Sequence, residues 1–307
     1  MPNYQGVWSL SEQYQAIGQG KWYVVPVIAL FAGGSPSNNV IQQVNIASAG
    51  NSTDFGDLIT SSLTVGLGSS TRAVFSVHDY NSLEYVTFAT AGNASDFGDL
   101  LRTKLQYASA ASNETRGLFA GGNDSGTTIN DIQYITIASA GNATDYGDLT
   151  VARRLLAGCG SSTRSVFGGG SDSVAYNTID YVAIASTGNA SDFGDLLSAH
   201  ETTCSMSSST RGLWAGGSPS SNVIQYITIA STGNAADFGD LTSDRNWNTG
   251  VASEVRALSA GGSPSSGTGN EIEYITIATL GNAADFGDLL AAVNFAGGAS
   301  SAHGGLS

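Results

Sequence analysis

The chain has 307 residues, of which 40 are glycine and 12% are charged, with a formal net charge of −14. Glycine stands at about twice its ordinary share and charge at about half, which suits short strands joined by tight turns. Apolar residues recurring at strand spacing exclude a disordered chain. Lys21 and Lys104 are the only lysines, so nucleic acid and anionic membrane surfaces, which select clustered basic residues, are poor partners.

Residues 1–23 form a segment of their own. Ser9 to Glu12 reads as a capping box, and Leu10, Tyr14 and Ile17 then share one face, which predicts about two turns of helix. Tyr4, Trp8, Tyr14 and Trp22 give this segment a high density of aromatics. Two readings stand: it folds back over the body of the protein, or it docks on a partner. The opening has no basic stretch followed by an apolar run, so no signal peptide is expected. The longest apolar run, Val24 to Ala32, contains Pro26 and is too short to cross a bilayer.

Residues 24–307 are organised by a nonapeptide that recurs six times. The copies start at Gly50 (GNSTDFGDL), Gly92, Gly141, Gly188, Gly233 and Gly281, at intervals of 42, 49, 47, 45 and 48 residues by subtraction. A period in that range is the signature of a propeller blade, one four-stranded unit per repeat. The clearest repeat begins at Arg164. Ser165 to Gly169 reads as strand b, Ile179 to Ser186 as strand c, Asp192 to Leu196 as strand d, and Ser198 to Met206 contains strand a, nearest the axis. The c strands read as apolar on both faces, as expected of strands buried between neighbouring blades.

The two ends of the repeat region differ. The first repeat begins directly with strand b near Val27, and the stretch AAVNFAGGASSA after Leu289 reads as a strand a. Six strands of each kind are then expected to close a six-bladed ring, with the C-terminal strand completing the first blade.

The order of strand, Gly-Gly pair, aromatic strand, turn and short d strand resembles the kelch repeat. In that family a Gly-Gly pair ends strand b, a Tyr lies in strand c and a Trp opens strand d. Gly121 with Gly122, Tyr134 and Tyr146 occupy these places, as do Gly216 with Gly217, Tyr226 and Phe238. Trp is replaced by Phe or Tyr throughout, which marks a divergent version. The wording of the repeats also resembles kelch-like virion proteins of marine phages, including cyanophages, and GVWSLSEQYQAIGQGKW resembles the N-terminal stretch of tail-associated proteins in such phages. The resemblance implies a virion structural protein of the tail, fibre or capsid surface, attached to other virion proteins through residues 1–23, with Tyr4, Trp8, Tyr14 and Trp22 as the attachment side chains.

Candidate chemistry divides into repeated and unrepeated residues. The nonapeptide supplies Asp-x-x-Asp pairs from Asp54 and Asp57 to Asp285 and Asp288. Calcium would want such oxygens, but six near-identical copies favour a structural role in which the first Asp and the preceding Asn hydrogen-bond their own turn. Arg72, Arg116, Arg164, Arg211 and Arg256 open strand b and are expected either to meet carboxylates at blade junctions or to form an anion site at the axis. His78, His200 and His303 have no spaced partners, so no metal or cofactor and no catalytic residue is assigned. Cys159 and Cys204 lie in equivalent strands of successive repeats; free thiols are the default, and a bridge between blades is the alternative.

The loops between strands b and c vary most. Loops that diverge on a repeated scaffold are where a binding face is built, and His78, Asp79, Tyr80, Asp124, Asp172 and Tyr176 are their most distinctive side chains. Tyr beside Asp or Asn suits a host surface glycan, and drift without selection is the competing reading. A soluble carbohydrate-binding propeller and a propeller glycan hydrolase are the alternatives to the virion protein.

Overall fold

The computed structural model describes residues 26–306 except 266 and 268. The predicted N-terminal helix and the attachment residues Tyr4, Trp8, Tyr14 and Trp22 lie outside the described residues. Among the described residues the chain is all-β, a set of small antiparallel sheets followed by a single 3-10 turn at Gly304–Leu306. Such an arrangement is compatible with a propeller.

The order a-b-c-d recurs from sheet to sheet. Ala157–Gly160, Arg164–Gly168, Thr178–Ala183 and Ser191–Asp195 form one such sheet in that order. In the first sheet, position a is taken by Gly297–Ser300, which pairs antiparallel with Ile28–Ala32 and so joins the two ends of the described chain. The remaining a strands are Thr64–Gly68, Ser109–Ser112, Cys204–Ser207 and Thr249–Ala252. Each a strand lies beside that of the next sheet, and Thr249–Ala252 lies beside Gly297–Ser300.

The hydrophobic core is divided into clusters, each shared by two successive sheets. Leu118 and Tyr146 of the third sheet pack with Phe167 and Val182 of the fourth. Leu258 and Phe286 of the sixth pack with Phe31 and Ile46 of the first. The Phe and Leu of the nonapeptide enter these clusters, as with Phe193 and Leu196, and burying each stabilises by roughly 1.5–3 kcal/mol.

Strand d enters this packing through a bulge. Ile41 faces Gly56 and Gln42 faces Asp54, so Phe55 is the extra residue, turned into the core. Gly56 sits at φ 153°, and a Cβ there would collide with the carbonyl oxygen of Gly92 in the following repeat. The glycine of DFGD is therefore required by close approach between repeats.

The c strands correct one expectation. They are not apolar on both faces, because one buried position is polar in each copy: Gln42, Glu84, Gln133, Asp180, Gln225 and Glu273. Each accepts a backbone N–H just beyond the nonapeptide of the preceding repeat, from Ile59 to Glu84 at 2.7 Å and from Leu197 to Gln225 at 2.7 Å. In the same way Leu290 donates to Gln42 at 2.8 Å. A polar atom buried with its partner avoids the desolvation penalty that an unpaired one incurs.

Candidate functional site

The repeated polar residues are absorbed by contacts between sheets. The motif asparagines do not serve their own turns, contrary to expectation. Asn93 Oδ1 accepts from the backbone N–H of Asp57 at 3.1 Å, Asn142 from Asp99 at 3.0 Å, and Asn51 from Asp288 at 3.1 Å. The strand b arginines turn to neighbouring carbonyls instead of to carboxylates or the axis. Arg164 lies 4.7 Å over the ring of Tyr181 and donates to the carbonyls of Ile229 and Ala230 in the next sheet at 3.0 Å. Arg256 does the same with Tyr274 and with Ile46 of the first sheet. A guanidinium suits this place because its planar face stacks on the ring while its edge donates.

Two of the buried c-strand acids carry ion pairs. Arg153 donates to Asp180 at 2.9 Å with both side chains fully buried, and Arg245 to Glu273 at 2.5 Å. Glu84 is not in such a pair among the described residues, and burial raises its pKa above the ordinary carboxylate value. Cys159 and Cys204 are free and buried, and burial pushes both thiols up to about 12.

The unrepeated chemistry lies around a cavity of about 200 Å³ lined by residues of the a strands. At one end it is lined by His303, with Nε2 2.9 Å from the carbonyl oxygen of Gly68 and 3.2 Å from Ser112 Oγ. At the other end the connections from strand d to strand a form the rim. Tyr107, Leu155, Thr202, Trp247 and Phe295 occupy equivalent positions there, all with left-handed backbones between φ 55° and 60°. From Leu155 onward each donates its N–H to the carbonyl of its predecessor, a chain running from Phe295 back through Trp247, Thr202 and Leu155 to Tyr107 at 2.8–3.2 Å. A non-glycine residue in this region costs free energy and persists only where the surroundings hold it.

The sixth equivalent position, Leu63, departs from this pattern. Its carbonyl accepts instead from His78 N–H at 3.0 Å, and the His78 ring enters the rim, 4.6 Å edge-on from Tyr107. Tyr107 in turn lies 5.8 Å from Phe295, and Phe295 3.7 Å from Trp247. A three-stranded sheet fixes the backbone just before Tyr107. Its middle strand, Asn123–Asp124, pairs with Leu105–Gln106 on one side and Thr127–Thr128 on the other.

The candidate loop residues are distributed unevenly around this rim. His78 and Asp79 belong to it: His78 Nδ1 is 3.2 Å from Asp79 Oδ2, and Gln106 Nε2 donates to Asp79 Oδ1. Burial lowers the pKa of His78 against the opposing pull of Asp79, and the bond from Gln106 lowers that of Asp79. Tyr80 is exposed beside them. Asp124 lies 3.8 Å from Arg102. Asp172 lines a neighbouring polar groove with Glu201 and with Arg154, whose guanidinium lies 5.9 Å over the Tyr107 ring, and Tyr176, half-buried, hydrogen-bonds through its backbone to Gly170 and His200. The structure therefore does not gather the six into one site. The sequence reading missed Tyr107, Thr202, Trp247 and Phe295, although aligning the repeats two residues before strand a would have shown Tyr107, Trp247 and Phe295 standing where other repeats have Leu63, Leu155 and Thr202.

Among the described residues no group of three or more His, Cys, Asp or Glu is placed to hold a metal ion. No protein-family model matches the chain, and no curated protein matches it.

Proposed function

We propose that the chain is a six-bladed kelch-like propeller, closed by its C-terminal strand, that serves as a non-enzymatic recognition protein of a virus particle. Closure is supported by three kinds of contact that each run from one repeat to the next and return from the sixth to the first: Asp288 with Asn51, Leu290 with Gln42, and Arg256 with Ile46. The recognition role is carried by the aromatic rim, where the repeats abandon their own symmetry at Leu63 and His78. Repeated residues serve the scaffold, and the departures from repetition are where a ligand is met.

In this reading residues 1–23 hold the protein to other virion proteins and the loop face points outward, toward the host surface. The virion assignment draws on the resemblance of the repeats. Quantitative mass spectrometry of purified particles from a phage encoding this chain tests it. A dozen or so copies per particle is expected for a tail or fibre protein and hundreds for a capsid-surface protein, whereas absence from the particle overturns the assignment.

A further inference from the structure

We propose that the rim and upper part of the cavity bind one neutral pyranose ring, such as the terminal sugar of a glycan. The inference rests on the recognition role proposed above and names its ligand. His78, Tyr107, Phe295 and Trp247 form a continuous run of rings. Aromatic faces of this kind match the apolar C–H face of a sugar, which polar groups alone do not.

Hydroxyl partners are present beside the rings. His78 Nε2 and Thr202 Oγ1 belong to residues that line the cavity, and both atoms are buried without a hydrogen-bond partner. A buried polar atom left unpaired is costly, and a sugar hydroxyl, which both donates and accepts, satisfies a neutral imidazole in either tautomer as well as a threonine hydroxyl.

The ligand's charge follows from the lining. Among the described residues no Asp, Glu, Lys or Arg lines the cavity, in a chain of net charge −14. Nothing in that lining would neutralise a uronic or sialic acid; at the rim the cation of Arg154, 5.9 Å over the Tyr107 ring, is matched by the anion of Asp79, and the net charge of −14 disfavours an anionic ligand. The volume of about 200 Å³ is below the roughly 300 Å³ at which drug-sized sites begin, so it suits one ring and not an oligosaccharide.

Saturation-transfer NMR on the full chain with the methyl pyranosides of glucose, galactose and mannose, and with methyl glucuronide as the charged control, tests this. Transfer to the ring protons of at least one neutral pyranoside is expected, and none to the glucuronide. Trp247→Ala should abolish it, Thr202→Val should weaken binding about tenfold, and Asp172→Ala should leave it unchanged. No transfer to any neutral pyranoside overturns the inference, as does transfer that survives both rim substitutions in folded protein. Either result leaves the particle assignment to its own test, and absence from particles alongside rim-dependent sugar binding removes that assignment while the site stands.

Discussion

The junction between the first and second sheets and that between the third and fourth share one backbone geometry and differ in chemistry. At the third-to-fourth junction Arg116 stacks on Tyr134 and donates to the Ile184 carbonyl, and Arg153 pairs with the buried Asp180. At the first-to-second junction Ile28 stands where the arginine would be, Gln43 where the tyrosine would be, and Ile28 packs into the cluster that holds Phe88. Glu84 occupies the place of Asp180 there, with Ser62 where Arg153 would be. Yet Asp57 N–H still reaches Asn93, and Ile59 N–H still reaches Glu84. The backbone-directed bonds set the spacing of the sheets, and the side-chain clamps are exchangeable for apolar packing.

The largest expected effect comes from removing what joins the ends. Deleting Leu290 to Ser307 removes Gly297–Ser300, the strand that completes the first sheet. Thermal unfolding followed by circular dichroism should then lose its single sharp transition, because domains are stable by only about 5–15 kcal/mol. A truncated chain melting as sharply as the full one would break the account of closure.

A smaller effect separates the two junctions. Arg153→Ala leaves Asp180 buried without its cation and should cost about 3–5 kcal/mol in urea denaturation. Glu84→Gln keeps an acceptor for Ile59 and removes a buried carboxylate that Ser62 does not neutralise, so it should cost little or stabilise at neutral pH.

The pH dependence sharpens that contrast. Because burial raises the Glu84 pKa above its ordinary value, the native state holds a proton that the unfolded state has released. Glu84 therefore makes stability fall as pH rises through the window between the two values. In Glu84→Gln that component of the slope should vanish above about pH 4.5, and an unchanged slope would show that Glu84 is not the titrating group.

The spacing of the nonapeptide was enough to identify the strand pattern, the Gly-Gly exits and the strand that the C-terminus adds, because glycine, β-branched and aromatic residues impose local geometry. The polar partners were not legible. Asn93 meets Asp57 across 36 residues and Arg256 meets Ile46 across 210, and such separations leave no trace in a local pattern.

What the amino-acid sequence determined by itself is therefore the repeat: its strands, its turns, and the Phe and Leu that each unit must bury. Only the tertiary structure decided where the charges go and which departures from repetition converge. Tyr107, Thr202, Trp247 and Phe295 come from four separate connections and His78 from a loop, and they form a rim because packing the sheets side by side brings the same connection of each unit to one place.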